Sequence, residues 1–483
     1  MQCETLPTSS LAPFIRLNNI SLNGIETARI GGQPIDAGIG IKHTPTTYDP
    51  SRPFLKIGAD LVVCAKTVEE YAKADVHLAE ALAAAGEFTL APRGAIMVFL
   101  VVSMSTAAGL GIGQSGPWSE YIKFLPAVSI PTTWTETERK LLHGTSLEVA
   151  VTAKLRALEQ EFEDFREATK EIKWCRKAWW DESKLTLREW QTVDSWFRSR
   201  VLQFPGLGIG MVPVLDFANH SYEASSYYSV DEDSDVVLLP REAKSGTLTD
   251  GEEITINYGR EKSAAEMVFS YGFLESTRDT ALWLVLDLQG LPDDPLGFAK
   301  QAIVKSAPTL GIYDMGHTVE WTSHFIWLMC INEEDGLSFR LLQETTGERH
   351  LQVLWDLKDV EDITKLVDLL EESSLWPVYQ LRATALVKDR VETQLAQLMG
   401  SEEEIVWITD QESFNIGSQE LHVATKLRTL ERALLEKAVE VLEVQKEKLL
   451  GSEVVQNYLM QAQGSSEISG DDPEAPSDED DLS

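Results

Sequence analysis

The sequence predicts an α+β fold class, in which a front half rich in short strands is followed by a largely helical back half. Residues 14–63 have the composition of short strands and turns, and strand-like segments return between residues 211 and 258. Apolar residues at a helical period mark residues 67–85 and, most clearly, Leu421–Leu450. A chain of 483 residues also exceeds one ordinary domain, so two or three domains are expected.

Helical signals interrupt the strand-rich front half. Residues 67–85 carry apolar side chains on one face of a helix, and a second helix is predicted over Arg93–Ala107. Thr135 is followed three residues later by Glu138, the spacing of an N-terminal capping box. Helical sequence then continues to about Thr169, so a helical insert is expected inside the front half.

Three strand candidates come after this insert. They are Met211–Phe217, Val236–Leu239 and Glu253–Tyr258, and Asp250-Gly251 supplies turn chemistry between the last two. Alternation along the third candidate puts Ile254, Ile256 and Tyr258 on one face of the strand.

The second half begins with a helix whose two ends can be located from the sequence. Ser263 and Glu266 have capping-box spacing, and Gly272 is placed to end the helix. After Thr280 the sequence is mostly helical up to Leu421–Leu450. The last twenty residues contain eight acidic residues and no basic ones, so this tail is predicted to be disordered.

The charge and cysteine content restrict the possible functions. The formal net charge of −35 repels phosphate, so nucleic-acid binding is not expected, whereas basic proteins would be attracted. No run of about eighteen apolar residues occurs, and no secretory signal is recognisable, so no membrane association is predicted. The four cysteines are scattered without CxxC spacing, which argues against disulfides and zinc and favours a reducing compartment, the cytoplasm or nucleus.

Two features that could be functional are interpreted as structural. The GxGxxG match at Gly111–Gly116 runs directly into Pro117 and lacks the preceding strand that a dinucleotide site needs. A loop between two helices therefore explains its glycines better. Five tryptophans lie between residues 174 and 196, and helix packing is favoured over a methyl-lysine cage.

Three short motifs combine polar or aromatic residues with the ends of predicted elements. The first strand candidate runs into Asn219 and His220, the third ends at Tyr258, and Tyr271 and Phe273 flank the helix-ending glycine. Taken singly, each has a plain structural interpretation: a polar turn, a core tyrosine with a satisfied hydroxyl, or an aromatic contact at a helix end.

The order and spacing of these motifs resemble the C-terminal half of a SET domain. More narrowly, they resemble the Rubisco large-subunit methyltransferase class, with the ribosomal-protein lysine methyltransferases and the actin-histidine methyltransferase of similar build. The motifs that carry the resemblance are Arg198-Ser199-Arg200, Asp216, Asn219-His220, Asp250–Gly259 and Tyr271-Gly272-Phe273. Upstream segments that resemble the helical insert of that class are Trp118–Pro126, Pro131–Trp134 and Leu142–Leu147.

The resemblance covers roughly residues 15–460 and implies a domain arrangement. A β-rich SET domain with a pseudoknot is expected over residues 15–280, with its helical insert at about 67–195. An all-α substrate-binding domain is expected over residues 281–460. An N-terminal segment, 1–14, and the acidic tail, 464–483, complete the chain.

The activity implied is that of an S-adenosylmethionine-dependent protein-lysine N-methyltransferase that acts on a non-histone protein, as a monomer and without a metal. A basic protein substrate would suit the acidic charge of the chain. Two alternatives stay open: a protein-histidine methyltransferase, and a SET-fold binding protein that has lost catalysis. The second is motivated by Lys42-His43, which follow the front glycine turn at a place where the family usually has a small residue.

The resemblance also implies roles for individual residues. Tyr258 would be catalytic and hold the substrate amine through its hydroxyl, while Tyr271 and Phe273 would wall the lysine channel. Arg200 would pair with the carboxylate of the cofactor. The implied cofactor-binding residues are Gly38, Ile39, Gly40, Arg200, Asn219, His220, Tyr258 and Phe273.

Overall fold

The structure is a computed structural model that describes residues 1, 5–30, 38–241, 248–304, 307–343, 349–360 and 362–468, with the backbone alone for residues 412 and 462–468. The chain divides into two compact units. The first comprises Met1–His143, Leu147–Arg278 and Glu404–Leu427. The second comprises Gly144–Ser146, Asp279–Glu403 and Arg428–Ser483. The predicted domains 15–280 and 281–460 differ from these units at two segments: residues 404–427 belong to the first unit, and residues 144–146 belong to the second.

Small antiparallel sheets form the strand-rich part of the first unit. The four-stranded sheet has the order Ser21–Leu22, Leu55–Ile57, Val236–Pro240, Ser226–Val230. One three-stranded sheet has the order Glu253–Ile254, Gly38–His43, Ile25–Ile30. Another has the order Val63–Cys64, Gly208–Met211, Leu202–Phe204. Because Glu253–Ile254 pairs with Gly38–His43, residues more than 200 positions apart in sequence become neighbours.

The core of the first unit is built around the helix Pro92–Ala107. Every residue from Gly94 through Ser105 is buried, as expected for a helix that is apolar on all sides. The other helices of this unit are Leu11–Leu17, Ala65–Ala74, Val76–Ala85, Pro117–Tyr121, Glu136–Arg139, Leu147–Thr169, Lys173–Cys175, Leu187–Arg200 and Ala264–Tyr271. The helix predicted over Arg93–Ala107 is thus confirmed.

Two helix predictions need correction. The segment 67–85 contains two helices, because Asp75 interrupts the first and its carboxylate accepts hydrogen bonds from the backbone N–H groups of His77 and Leu78. The capping box of Thr135 and Glu138 is confirmed, but its helix is a single turn. A separate helix, Leu147–Thr169, provides the long helical segment.

The features interpreted as structural are confirmed as such. Trp179 and Trp190 are fully buried and pack against Phe165, and the indole N–H of Trp179 donates to the hydroxyl of Ser105 at 2.8 Å. The tryptophans therefore pack helices together. The glycines of 111–116 lie in the loop between two helices, the last of which begins at Pro117.

A buried ion cluster fixes the helix Leu187–Arg200, whose last residue belongs to the candidate site. The carboxylate of Asp194 is fully buried and lies 2.7 Å from Arg93, 3.2 Å from Lys154 and 2.9 Å from Arg198. Arg198 also donates to the carbonyl of Phe269 at 2.8 Å, which ties this helix to Ala264–Tyr271. Buried carboxylates need such partners because desolvation of a lone charge is costly.

The prediction of an all-α back domain is wrong. The second unit contains a sheet in the order Trp283–Asp287, Thr309–Asp314, Val319–Thr322, and another in the order Leu337–Gln343, Arg349–Trp355, Lys358–Val360. The strand Trp283–Asp287 alternates buried and exposed residues, whereas Leu337–Gln343 and Arg349–Trp355 are buried at one end only. Such runs are too short to show a clear period against the strong helical pattern that follows.

Helices make up the rest of the back half. Those within the second unit are Gly297–Ile303, His324–Met329, Leu366–Glu371, Trp376–Gly400 and Glu453–Ile468. Glu402–Asp410 and Ser418–Leu450 contribute residues to both units. The last of these contains the predicted helix Leu421–Leu450, which is confirmed.

The C-terminal end of the chain departs from the predicted tail at one point. The helix Glu453–Ile468 includes the first five residues of the segment 464–483, and the remaining residues, 469–483, lie outside the described part of the chain. Across the described residues, none of the helices has both the length and the apolar character needed to cross a membrane.

Candidate functional site

The site begins at a strained turn after the strand Gly208–Met211. The predicted strand Met211–Phe217 is wrong beyond Met211, because Pro213 has no N–H to give and Val214 adopts a φ of 71°. A β-branched residue rarely adopts this left-handed conformation, and such strain concentrates at functional sites. The backbone N–H of Val214 donates to the hydroxyl of Tyr121 at 2.8 Å, which holds the turn.

The turn delivers the carboxylate of Asp216 to Arg200. One Asp216 oxygen lies 3.2 Å from the guanidinium of Arg200, and the other accepts a short hydrogen bond from the hydroxyl of Tyr121. Arg200 also donates to the backbone carbonyl of Asp216 at 2.8 Å. Burial raises the pKa of the Asp216 carboxyl, and the charge of Arg200 opposes that shift. The Nε of Arg200 is buried and has no partner among the described residues.

Asn219 connects the turn to the front glycines. Its side-chain amide donates to the carboxylate of Glu253 at 2.7 Å and to the carbonyl of Ile39 at 3.3 Å. A Cβ at Gly40 would lie 2.9 Å from the Asn219 amide and 2.3 Å from Ile30, so only glycine fits there. The predicted cofactor residues Ile39, Gly40 and Asn219 are therefore neighbours.

The rest of the front segment behaves differently. A Cβ at Gly38, the first residue of the strand, would meet no atom of the described residues within 4 Å. The buried ring of His43 packs against Tyr48 and Phe54 at centroid distances of 5.4 and 6.1 Å. The departure from the family pattern at Lys42-His43 thus leaves the close approach at Gly40 intact.

His220 lies next to Tyr258 although 38 positions separate the two residues in the sequence. The backbone N–H of Ile256 donates to the carbonyl of Asn219 at 2.9 Å, and His220 and Ile256 form an isolated parallel bridge. The backbone N–H of Tyr258 donates to Nδ1 of His220 at 3.0 Å. The predicted strand Glu253–Tyr258 is regular only over Glu253–Ile254, because its later residues pair with this neighbouring segment.

The half-buried hydroxyl of Tyr258 is held by the backbone. It donates to the carbonyl of Ala218 at 2.9 Å, and burial raises the pKa of the phenol well above its usual value. The hydroxyl therefore keeps its proton at neutral pH. Since that proton is directed at Ala218, the oxygen lone pairs remain available to accept a hydrogen bond from another group.

Tyr271 and Phe273 complete an aromatic cluster with Tyr258. The ring centroids of Tyr258 and Tyr271 are 4.7 Å apart, and Phe273 lies 6.4 Å from both. Burial raises the pKa of Tyr271 to about 12. The capping box at Ser263 is confirmed, and Gly272 ends the helix with a φ of 76°. A Cβ at Gly272 would lie 1.9 Å from the carbonyl oxygen of Ser129, so the turn requires glycine.

One pocket opens among these residues. Its lining combines the end of the Leu187–Arg200 helix with the strained turn and two of the aromatic rings. The lining residues are Ser199, Arg200, Val201, Leu202, Leu215, Asp216, Ala218, Ile256, Tyr258 and Tyr271. A buried, unpartnered donor on Arg200 beside a pocket fits an anionic group, such as the carboxylate of an amino-acid-bearing cofactor.

Acidic residues with metal-like spacing occur elsewhere. Among the described residues, Asp231, Asp233 and Asp235 offer oxygens close to one another. The ammonium of Lys56 lies 2.7, 3.3 and 3.2 Å from the three carboxylates. A protein cation is therefore already paired with all three carboxylates.

Three residues that organise the site were not among the residues predicted from the sequence. Tyr121 supports both the turn and Asp216, Glu253 accepts from Asn219, and Glu275 faces His220 with an oxygen–nitrogen distance of 3.9 Å. Glu253 and Glu275 sit inside or just after the quoted motifs and could have been included. Tyr121 lies 95 residues from its partner Asp216 in sequence, and nothing in the sequence around it marked it as a site residue, apart from its place in the predicted helical insert.

Comparisons with known proteins identify the fold. A family model described as cytochrome c lysine N-methyltransferase 1 matches residues 208–289, which contain most of the site. A Schizosaccharomyces pombe relative named SET domain-containing protein 8 is 28% identical over 358 residues, covering 72% of this chain and 78% of the relative.

Solved structures give the same result over nearly the whole chain. The SET domain of LSMT bound to MeLysine and AdoHcy superposes with a TM-score of 0.65 at 16% identity, covering 95% of this chain and 97% of the other. Rubisco LSMT bound to AdoMet superposes with a TM-score of 0.63 at 17% identity, with the same coverage. The chain therefore has the SET-domain fold, and the resemblance predicted from the motifs is confirmed.

Proposed function

We propose that this chain is an S-adenosylmethionine-dependent protein-lysine N-methyltransferase that acts on a non-histone protein. The observation that carries the proposal is the Tyr258 hydroxyl, which lines a pocket with Arg200 and keeps its lone pairs free for a substrate amine. The family model that matches residues 208–289 describes a lysine methyltransferase, which supports the same reaction.

The cofactor is assigned to the residues on the Asn219 side of the site. Arg200 offers a buried Nε–H to the carboxylate of the cofactor. The side chain of Asn219 lies close to the backbone of Gly40, and these two residues would form one side of the cofactor site. S-adenosylmethionine supplies an electrophilic methyl group on a cationic sulfonium. His220 contributes through its backbone, whose carbonyl and N–H belong to the segment that bridges Ile256.

The substrate amine would be handled by the aromatic cluster. The rings of Tyr271 and Phe273 exclude water from the approach to Tyr258, and desolvation lowers the pKa of a lysine amine toward the neutral, nucleophilic form. The Tyr258 oxygen accepts an N–H of that amine while its own O–H continues to donate to the carbonyl of Ala218. Fixing an amine in line with its electrophile can contribute about 7–11 kcal/mol to lowering the barrier.

Tyr258 does not act as the base in this scheme. Its raised pKa keeps the phenol protonated at neutral pH, so the amine loses its proton before transfer and not to Tyr258. The role of Tyr258 is to orient the amine lone pair and to stabilise the charge that develops on nitrogen.

The proposed substrate is a basic protein. The chain carries a net charge of −35, which favours encounter with a cationic partner. Cys64, Cys175 and Cys330 are free and buried, in keeping with the reducing compartment, cytoplasm or nucleus, that we propose for a monomeric enzyme. Cytochrome c, named in the description of the matching family, is a rational first candidate.

The test is methyl transfer from labelled S-adenosylmethionine. Purified protein is incubated with cytochrome c and, separately, with cell lysate, and labelled proteins are mapped by mass spectrometry. The proposal predicts labelled lysine on a basic protein. Label confined to histidine would replace lysine with the histidine alternative, and a folded protein that neither binds the donor nor labels any protein would leave the binding-module alternative.

A further inference from the structure

His220 and Glu275 face each other beside Tyr258 without completing a hydrogen bond. Nε2 of His220 and Oε2 of Glu275 are 3.9 Å apart, and each is buried without a partner among the described residues. Native proteins satisfy nearly all buried polar atoms, so two such atoms facing each other call for a functional explanation.

The protonation of His220 follows from its other nitrogen. Nδ1 accepts the backbone N–H of Tyr258 at 3.0 Å, so Nδ1 carries the lone pair. Burial lowers the pKa of His220 to about 4, so the ring is neutral at neutral pH. The single ring proton is therefore on Nε2, directed toward the side where Glu275 lies. The Nε2–H donor of His220 and the Oε2 acceptor of Glu275 therefore already face each other.

Glu275 is held in place by hydrogen bonds to its second carboxylate oxygen and to its backbone carbonyl. Its Oε1 accepts the backbone N–H of Tyr222 at 3.2 Å, and its backbone carbonyl accepts a short hydrogen bond from the ammonium of Lys426. These contacts leave Oε2 as the free acceptor on the His220 side. The gap exceeds an N–H···O bond by about 1 Å, which a small side-chain rotation closes.

We propose that Glu275 is a positioning residue that accepts the Nε2–H of His220 and thereby keeps Nδ1 directed at the backbone of Tyr258. The inference rests on the proposed function, since it matters for catalysis because Tyr258 holds the substrate amine. Without this acceptor, the Nε2–H of His220 is a buried, unsatisfied donor, which favours rotation of the imidazole or a change of tautomer. Either change weakens the hydrogen bond between Nδ1 and the backbone N–H of Tyr258.

The test compares Glu275→Leu, which removes both acceptor oxygens at similar size, with Glu275→Gln, whose single amide oxygen can still accept the Nε2–H of His220 if it gives up the backbone N–H of Tyr222. Lys426→Met is the matched control, because it releases the same backbone segment without touching the carboxylate. Nuclear magnetic resonance of histidine-labelled, cofactor-free protein reports the His220 Nε2 proton, assigned by its disappearance in His220→Gln. Steady-state kinetics give kcat and KM separately.

The proposal predicts a bonded, slowly exchanging Nε2 proton in wild type and Glu275→Gln that is lost in Glu275→Leu. It also predicts that kcat falls about 10-fold in Glu275→Leu, as for other residues that orient a functional group, and stays near wild type in Glu275→Gln and Lys426→Met. A wild-type Nε2 proton that exchanges freely would overturn the proposal, even if Glu275→Leu does not fold. A protein without methyl transfer would refute the proposed function, while the proton signal would still decide whether the pair exists.

Discussion

Replacing Tyr258 by phenylalanine removes one oxygen from the pocket and leaves the aromatic cluster in place. The ring keeps its neighbours, Tyr271 at 4.7 Å and His220 at 5.2 Å, and the backbone N–H still reaches His220. The hydrogen bond to the carbonyl of Ala218 and the acceptor for the substrate amine are both lost.

The two losses differ in size. One hydrogen bond contributes about 1 kcal/mol to stability, which in a unit of this size lowers the melting temperature by about 2–4 °C. An oriented contact to the reacting group typically contributes 100-fold or more to the rate, or about 3 kcal/mol of transition-state stabilisation. Activity should therefore fall far more than stability.

A matched control separates the two effects. The hydroxyl of Tyr71 also donates to a backbone carbonyl, that of Asp60 at 2.8 Å, but Tyr71 lies outside the site. Tyr71→Phe should lose similar stability and keep full activity. The assay is single-turnover methyl transfer at saturating cofactor, with melting curves on the same samples. A Tyr258→Phe variant that transfers methyl groups within threefold of the wild-type rate would refute the role assigned to this hydroxyl.

Further substitutions test the glycines and a buried acid. Gly40→Ala should weaken S-adenosylmethionine binding about 10-fold by calorimetry, because its Cβ meets Asn219 at 2.9 Å, whereas the Cβ of Gly38→Ala meets no described residue within 4 Å and this variant should bind normally. Gly272→Ala should lower the free energy of unfolding in urea by at least about 2 kcal/mol, since its Cβ meets Ser129 at 1.9 Å. Gly251→Ala, with a φ of 77° and open space, should cost only about 1 kcal/mol; equal losses in the two variants would contradict the packing argument. Burial raises the pKa of Glu431 to about 7 from 4.5, so the folded state holds this proton more tightly. Its stabilising contribution is complete below pH 4.5 and falls by about 3 kcal/mol as the pH rises through 7. The free energy of unfolding in denaturant is measured against pH for the wild type and for Glu431→Gln, and the difference between them should show that decline. A difference that does not depend on pH would exclude it.

The site was largely predictable because its residues lie in short contiguous motifs. Asn219-His220 follow the strained turn after the strand Gly208–Met211, and Tyr271 and Phe273 flank a glycine whose left-handed conformation follows from the helix-ending rule. Their order along the chain carried the resemblance to a SET domain, and in the structure the backbone N–H of Tyr258 donates to His220.

Other parts depend on contacts that no local pattern encodes. Tyr121 contacts Asp216 from 95 residues away in sequence. The left-handed backbone at Val214 could not be predicted, because the hydrogen bond that holds it comes from the same distant Tyr121. The strands of the second unit were missed because segments such as Trp283–Asp287 are only five residues long. The break at Asp75 was missed because an aspartate inside an apolar period can also be a solvated helical residue.

The most direct test of the account is calorimetric titration of the purified protein with S-adenosylmethionine, repeated on Asn219→Ala. Asn219 joins the Gly40 edge to Glu253, so this substitution should disorganise the cofactor side while leaving Tyr258 and its hydrogen bond to Ala218 unchanged. The account predicts saturable heat with one site per chain in the wild type and at least about 10-fold weaker binding in the variant. A folded wild-type protein that shows no heat with S-adenosylmethionine would contradict it.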